Sequence, residues 1–244
     1  MKAVLLHNQR VEMIDAPVPD IGAGEALVKI EMAGICGTDL AIFHGYAGFS
    51  GIAGHEFIGI VAASPERPQL VGQRVVADIN IGCGQCRTCR CNDARHCPNR
   101  SVIGIRGRDG TFAEYCAIPT DNLHVVPDSV STMHAVLAEP LAAALEITQQ
   151  VHIRSTDRIV VLGDGKLGIL AALCLSHYSD RVHLIGRHDR KLNIARRQNI
   201  AVSMAEAGVS TGKMAAELGQ FDLVVEATGA PDGIESALHL VRPE

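Results

Sequence analysis

The sequence predicts two domains of different class: a β-rich, irregular domain over residues 1–150 and an α/β domain with a doubly wound parallel sheet over 151–244. Three observations carry this. Short alternating apolar runs separated by Gly and Pro fill the first part. In the second part, short buried-strand runs alternate with helical segments, a pattern that calls for parallel strands joined by right-handed crossovers. Between the first such run and its helix lies Gly163-Asp164-Gly165-Lys166-Leu167-Gly168.

Taken in order, residues 25–31 and 72–77 read as strands, and Pro17, Pro19, Pro65, Pro68, Pro119 and Pro127 punctuate the loops. The stretch from Cys83 to Cys97 is too polar and turn-rich to be a strand. The composition changes near residues 145–157, where the boundary is expected. Beyond it, residues 159–162 form a buried strand whose helix runs to about His177. Residues 182–185 form the second strand, and its helix passes through Lys191 and Arg196. Residues 201–204 are a weaker third strand and 221–226 a fourth, with a last helix from about Asp232 to Leu240.

Composition narrows the function. Hydrophobic residues make up 47% of the 244, enough for a packed core. Aromatics are 3% and Trp is absent, which disfavours stacking platforms for single-stranded nucleic acid. The net charge of -5 offers no broad basic field for nucleic acid or anionic lipid. No apolar run approaches the roughly 18 residues of a membrane span. The N-terminus reads as a strand start rather than a signal peptide, so a cytoplasmic location is expected. In that compartment eight cysteines point to metal and free thiols rather than disulfides.

Two cysteine arrangements carry chemistry. Cys83, Cys86, Cys89 and Cys97 form a C-x2-C-x2-C-x7-C run, able to close a tetrahedral zinc. Cys36-Gly37-Thr38-Asp39 and Gly54-His55-Glu56 offer a thiolate, an imidazole and carboxylates for a second, more open site. A closed set beside an open one suggests a structural and a catalytic zinc. Gly163, Gly165 and Gly168 follow a strand and open a helix, the context in which G-x-G-x-x-G signifies dinucleotide binding. There the glycines give a tight turn, close approach of the pyrophosphate and close packing of helix on strand.

These motifs, with Gly54-His55-Glu56-Phe57-Ile58-Gly59-Ile60-Val61, Gly110-Thr111-Phe112-Ala113-Glu114-Tyr115 and Glu139-Pro140-Leu141, resemble the zinc-dependent medium-chain alcohol dehydrogenases, in the polyol and threonine dehydrogenase branch. The resemblance implies a GroES-like catalytic domain followed by a Rossmann domain. It implies Cys36 and His55 as ligands of a catalytic zinc, with the third ligand at Glu139. Glu56 is a close-range carboxylate that either ligates as well or alternates with solvent. Thr38 matches the hydroxyl that passes the alcohol proton onward, and Asp39 a partner that orients His55. Zinc in such a site is a Lewis acid that lowers the pKa of an alcohol and favours hydride departure. Cys83, Cys86, Cys89 and Cys97 are implied as the structural set, leaving Cys91 spare. Singly, each residue has a plainer reading: Cys36 as a core thiol, His55 as a structural histidine, Glu139 as the opening of a helix. The joint pattern selects the metal reading.

Aligned on Lys191-Leu192, the family pattern puts Gly186 where NAD-specific members carry an acidic residue, and Arg187 follows. A guanidinium there suits a 2′-phosphate, so NADP(H) is preferred over NAD(H); in another register Asp189 would serve the ribose. The expected nucleotide contacts are Gly163, Gly165, Lys166, Leu167, Gly168, Gly186 and Arg187. Two departures stand out. Ala41 occupies a position at which relatives often carry a relay histidine, with His44 three residues on. The chain also stops after the fourth strand and its helix, where relatives continue. Stopping there leaves an apolar edge in a 3-2-1-4-5-6 sheet. This predicts either a missing C-terminal segment, the preferred reading, or a partner chain in a homo-oligomer covering that edge, and poor turnover by the isolated chain. The leading function is hydride transfer between an alcohol or polyol and NADP(H), with two zinc ions per chain. The rival is a non-catalytic, zinc-stabilised nucleotide-binding remnant with a regulatory role.

Overall fold

The computed structural model describes residues 1–7, 9–205 and 217–243, divided into two compact units, Met1–Glu139 and Pro140–Glu244. The first unit contains β1 (Lys2–His7), β2 (Arg10–Asp15), β3 (Glu25–Gly34), α1 (Gly37–Phe43), β4 (Gly51–Ile52), β5 (Glu56–Ala63), β6 (Arg74–Ala77) and β7 (Asn80–Ile81). The short helix α2 (Arg87–Arg90), β8 (Ser101–Val102), β9 (Tyr115–Pro119), β10 (Leu123–Val125) and α3 (Thr132–Ala135) follow. Helix α4 (Ala138–Leu145) straddles the division, and α5 (Ile147–Gln150) belongs to the second unit. The division precedes residue 150 because Ala144 is fully buried in the core of the second unit, with Ile147 packed against it.

In the first unit, among the described residues, a five-stranded sheet of order β10-β6-β5-β3-β9 is antiparallel throughout. Alternation sets its inner face: Ala26 and Val28 of β3 lie opposite Ile118 and Cys116 of β9, and all four are buried in one cluster with Phe57, Val61 and Val75. β5 is buried from Glu56 to Gly59 and again at Val61, and Gly59 there is a close-approach residue. A Cβ at Gly59 would stand 2.5 Å from the Lys29 carbonyl oxygen across the ladder. The register of β3 on β5 shifts between Ile30 and Met32, and the pair ends with Gly34 opposite Glu56. Fixing that end places the loop before α1 beside the start of β5.

The second unit is built on β11 (Ile159–Leu162), α6 (Lys166–Leu175), β12 (Val182–Gly186), α7 (Asp189–Arg196), β13 (Ala201–Met204), β14 (Leu223–Glu226) and the helix Gly233–Leu240. Its strands are parallel, in the order β13-β12-β11-β14. All four residues of β11 are buried because both faces of the strand are covered. Ile159 and Val161 face one cluster with Leu170, Leu175, Leu184 and Leu192. Val160 and Leu162 face the other, with Ile185, Phe221 and Leu240. Burial on both faces is the signature of a doubly wound sheet, and strand order and helix positions match the sequence expectation to within a few residues at each end. No helix among the described residues is long and apolar enough to cross a membrane.

The turn from β11 into α6 is the tightest point of this unit. Gly163 has φ +110°, and a Cβ on it would stand 2.7 Å from the Ala227 carbonyl oxygen. A Cβ on Gly168 would fall on the Gly163 carbonyl oxygen. Backbone cannot yield there as a flexible side chain would. Gly168→Ala is therefore expected to destabilise the protein by about 1–3 kcal/mol, read as a lower urea midpoint with unchanged slope; wild-type stability would contradict the close approach.

Candidate metal centres and nucleotide cradle

Cys36 precedes α1 in extended conformation (φ -94°, ψ 157°), so its side chain lies beside the first turn. Asp39, in that turn, accepts a hydrogen bond from the Cys36 backbone N–H at 2.7 Å. The same carboxylate is 4% exposed and places Oδ1 3.4 Å from Nδ1 of His55, itself 2% exposed. That separation is long for a hydrogen bond and acts as a charge pairing. Asp39 thus ties the start of α1 to the segment entering β5. Glu56, the first residue of β5, is fully buried. Ligand atoms of Cys36, His55 and Glu56 all lie within 4.8 Å of one another. The Thr38 hydroxyl is 3.6 Å from Cys36 Sγ.

This donor set fits zinc. One thiolate, one imidazole and one carboxylate are a ligand chemistry that a catalytic zinc uses, with a further position to fill. The orientation of His55 adds to the fit: Nδ1 faces Asp39, the arrangement in which a carboxylate fixes the ring and leaves Nε2 to a metal. Without metal the charges pair with one another, and His55 gives up a proton before Nε2 can bind zinc. Burial pulls the imidazolium of His55 down, but Asp39 and the Cys36 thiolate outweigh it and raise its pKa to about 10. The same His55, against the opposing effect of burial, lowers the Cys36 thiol. A thiolate is therefore favoured where a ligand thiolate is needed. Glu139 lies in the first turn of α4, half-buried, and is not among the donors within 4.8 Å of one another.

The second set is Cys83, Cys86, Cys89 and Cys97, whose sulfurs also lie within 4.8 Å of one another. The single turn of α2 begins after Cys86 and carries Cys89, bringing their sulfurs to 3.4 Å, and Cys97 Sγ is 3.6 Å from Cys86. A tetrahedral zinc with bonds of about 2.3 Å asks for sulfurs about 3.8 Å apart. Cys97 is fully buried, and its sulfur accepts from the Cys83 backbone N–H. The Thr88 hydroxyl and the Cys89 backbone N–H lower the Cys86 thiol to about 6. Four protein sulfurs leave no open position. Cys91 is exposed and outside the set, while Cys116 and Cys174 are buried; burial pushes Cys116 up to about 12. All eight cysteines are free of disulfides.

The glycine fingerprint forms an open cradle. Gly165 precedes α6, and nothing lies within 4 Å of where its Cβ would stand, in contrast to the crowding at Gly163 and Gly168. Lys166 and Leu167 follow as the first residues of α6. Gly186 closes β12 in a buried position, and Arg187 beyond it is exposed. Asp189 opens α7 and pairs with Arg196 at 2.6 Å. Sequence reasoning missed Asp164 and His188. The Asp164 carboxylate, 7% exposed, accepts from the backbone N–H groups of Arg187 (2.8 Å) and His188 (2.6 Å) and meets the His188 ring at 3.0 Å. Against the cost of burial, these contacts hold it below the usual carboxylate range. The available signal was an aspartate inside the fingerprint combined with a glycine at the end of the next strand.

A β-rich unit with a four-sulfur set and a mixed thiol, imidazole and carboxylate set, followed by a parallel sheet with a glycine-rich first turn, is the arrangement of a metal-dependent dehydrogenase class. Residues 22–128 match the alcohol dehydrogenase GroES-like domain. The chain is 32% identical over 253 residues to L-threonine 3-dehydrogenase of Escherichia coli K12, covering 98% of this chain and 73% of that protein. It is 29% identical over 252 residues to the starvation-sensing protein RspB of the same strain, covering 100% of this chain and 74% of the relative. Among solved structures, an alcohol dehydrogenase (rspB) from E. coli CFT073 complexed with NADH superposes with a TM-score of 0.90 at 29% identity, covering 100% of this chain and 74% of that one. A zinc-binding dehydrogenase from Sinorhizobium meliloti 1021 bound to NADP gives 0.87 at 30% identity, with 99% and 73% covered. The chain belongs to the zinc-dependent medium-chain alcohol dehydrogenase family and is an oxidoreductase of that class. It spans about three quarters of the length of these relatives.

The raised pKa of His55 has a sign that can be tested in chelator-treated protein. A group raised from 6.5 to about 10 stabilises the fold fully below pH 6.5, and the contribution is lost as pH rises through about 10. Asp39→Asn removes its main charge partner. The urea stability of the variant is expected to approach that of the wild type as pH is taken from 6 to 10, after a deficit of more than about 1 kcal/mol at pH 6. A gap that does not narrow would contradict the pairing.

Proposed function

We propose that the chain interconverts an alcohol or polyol and its carbonyl compound by hydride exchange with NADP(H). Carrying this is the cluster of Cys36, His55 and Glu56 donors within 4.8 Å, with Asp39 behind His55, in a chain that also has an open glycine cradle. Cys36 and His55 would hold the catalytic zinc, with Glu139 or Glu56 completing the protein ligands. Cys83, Cys86, Cys89 and Cys97 would hold a second, structural ion, giving two zinc ions per chain. When bound, zinc supplies a Lewis acid that acidifies the substrate hydroxyl, and the nicotinamide supplies the hydride acceptor or donor. Thr38, beside Cys36, takes the hydroxyl proton and hands it toward solvent. Gly163, Gly165 and Gly168, with the backbone of Lys166 and Leu167, receive the pyrophosphate at the start of α6.

NADP(H) is the preferred cofactor in this reading because the end of β12 offers no acidic side chain at Gly186 and an exposed guanidinium at Arg187. The relatives include one structure with NADH and one with NADP, so family membership leaves the choice to these residues. The eight free thiols suit a reducing compartment, in line with a cytoplasmic enzyme.

Two variants test the assignment. Cys36→Ser is expected to cut zinc content from about two ions per chain to about one and to lower kcat by at least about a hundredfold, while the remaining zinc and the fold persist. Loss of both ions, or of neither, would contradict two independent sites; one ion in the wild type and no turnover would favour the non-catalytic reading. Arg187→Ala is expected to weaken NADPH binding by about tenfold or more and to leave NADH binding nearly unchanged. Equal loss for both nucleotides, measured by fluorescence titration, would remove Arg187 from the 2′-phosphate.

A further inference from the structure

We infer that Asp164 is a positioning residue for cofactor choice, competing with residue 186 for one volume at the end of β12 and holding the Arg187–His188 backbone in place. This deepens the NADP(H) reading above and rests on it.

The fingerprint demands glycine at 163, 165 and 168, and leaves 164 free to carry a side chain. Here that side chain turns toward the neighbouring strand and is 7% exposed. A Cβ built on Gly186 would fall on Asp164 Cβ and stand 2.7 Å from its Cγ and Oδ2. The backbone of Gly186 is not left-handed, so its own conformation does not require glycine. The requirement comes from Asp164. A carboxylate can reach this corner from position 164 or from position 186, and the two cannot share it.

The origin of the carboxylate matters to the ligand. An acidic residue at 186 would point free acceptor oxygens at the ribose hydroxyls, the arrangement that selects NAD(H). The carboxylate of Asp164 is committed elsewhere. Oδ2 accepts from the N–H groups of Arg187 and His188, and both oxygens meet His188 Nδ1, at 3.1 and 3.0 Å. Its charge is met by the chain's own donors, while the exposed guanidinium of Arg187 stands on the backbone that those bonds fix.

The test is a double-mutant cycle on NADPH and NADH binding with Asp164→Gly, which removes the Cβ as well as the carboxylate, Gly186→Asp and the pair together, each variant checked by thermal melting. Gly186→Asp alone is expected to lose about tenfold or more for both nucleotides, because the new side chain has no room. Asp164→Gly alone is expected to weaken NADPH by about tenfold and NADH by less. The double variant is expected to regain NADH binding to at least the wild-type level and to favour NADH over NADPH. Asp164→Asn, which keeps an acceptor for the two N–H groups, should stay within about threefold of the wild type for NADPH.

Additive effects, or an NADH affinity of Gly186→Asp equal to that of the double variant, would overturn the coupling. Should the double variant fail to fold, an Asp164→Asn variant as weak toward NADPH as Asp164→Gly would overturn it independently. A wild type that prefers NADH would refute the NADP(H) reading. The non-additivity of positions 164 and 186 in NADH affinity would then still decide the shared volume.

Discussion

The donor cluster of the first unit depends on one buried carboxylate. Asp39 receives the Cys36 N–H and faces Nδ1 of His55, so a single side chain fixes where the thiolate leaves the chain and which ring nitrogen of His55 is turned away from it. These two donors come from separate elements, one before α1 and one before β5. Without the tie each could choose its own rotamer. The antiparallel pairing of β3 on β5, ending with Gly34 opposite Glu56, brings the two segments together, and Asp39 sets their relative orientation. Its cost is burial of charge, met here by a backbone donor and an imidazole rather than by water.

The nucleotide-binding half solves a different problem, close approach of backbone to backbone. Ile159, Val160, Val161 and Leu162 bury both faces of β11, which forces the chain to leave the sheet at one point and begin α6 there. Gly163 and Gly168 let the turn and helix press against Ala227 and against each other, whereas the space around Gly165 stays open. The same turn carries Asp164 to the end of β12. Packing of the sheet and recognition at its edge therefore share residues, and substitution at one affects the other.

Much of this was legible from the sequence because it rests on local pattern. Alternating strand and helix periodicity gave the parallel sheet, and the family resemblance implied its order. Cysteine spacing identified the four-sulfur set, because one turn of α2 suffices to bring Cys86 and Cys89 together. Cys36 and His55 could be read together from their donor chemistry, and the resemblance sharpened that reading, but nothing in the residues between them announces that β3 and β5 will align. Glu139 illustrates the reverse. The motif singles it out, while the donors that converge in space are Cys36, His55 and Glu56. Asp164 was missed because a fingerprint is read through its glycines, and the reach of an aspartate to the next strand has no one-dimensional signature.

The proposed reaction requires that two zinc sites of unlike ligand chemistry coexist in this chain. X-ray absorption at the zinc edge of the fully loaded protein tests it most directly. One four-sulfur site averaged with one site holding a single sulfur predicts about two and a half sulfurs per zinc at about 2.3 Å, with a nitrogen and oxygen shell at about 2.0–2.1 Å. A shell of sulfur alone, close to four per zinc, would mean that Cys36 and His55 hold no metal, and would contradict the account.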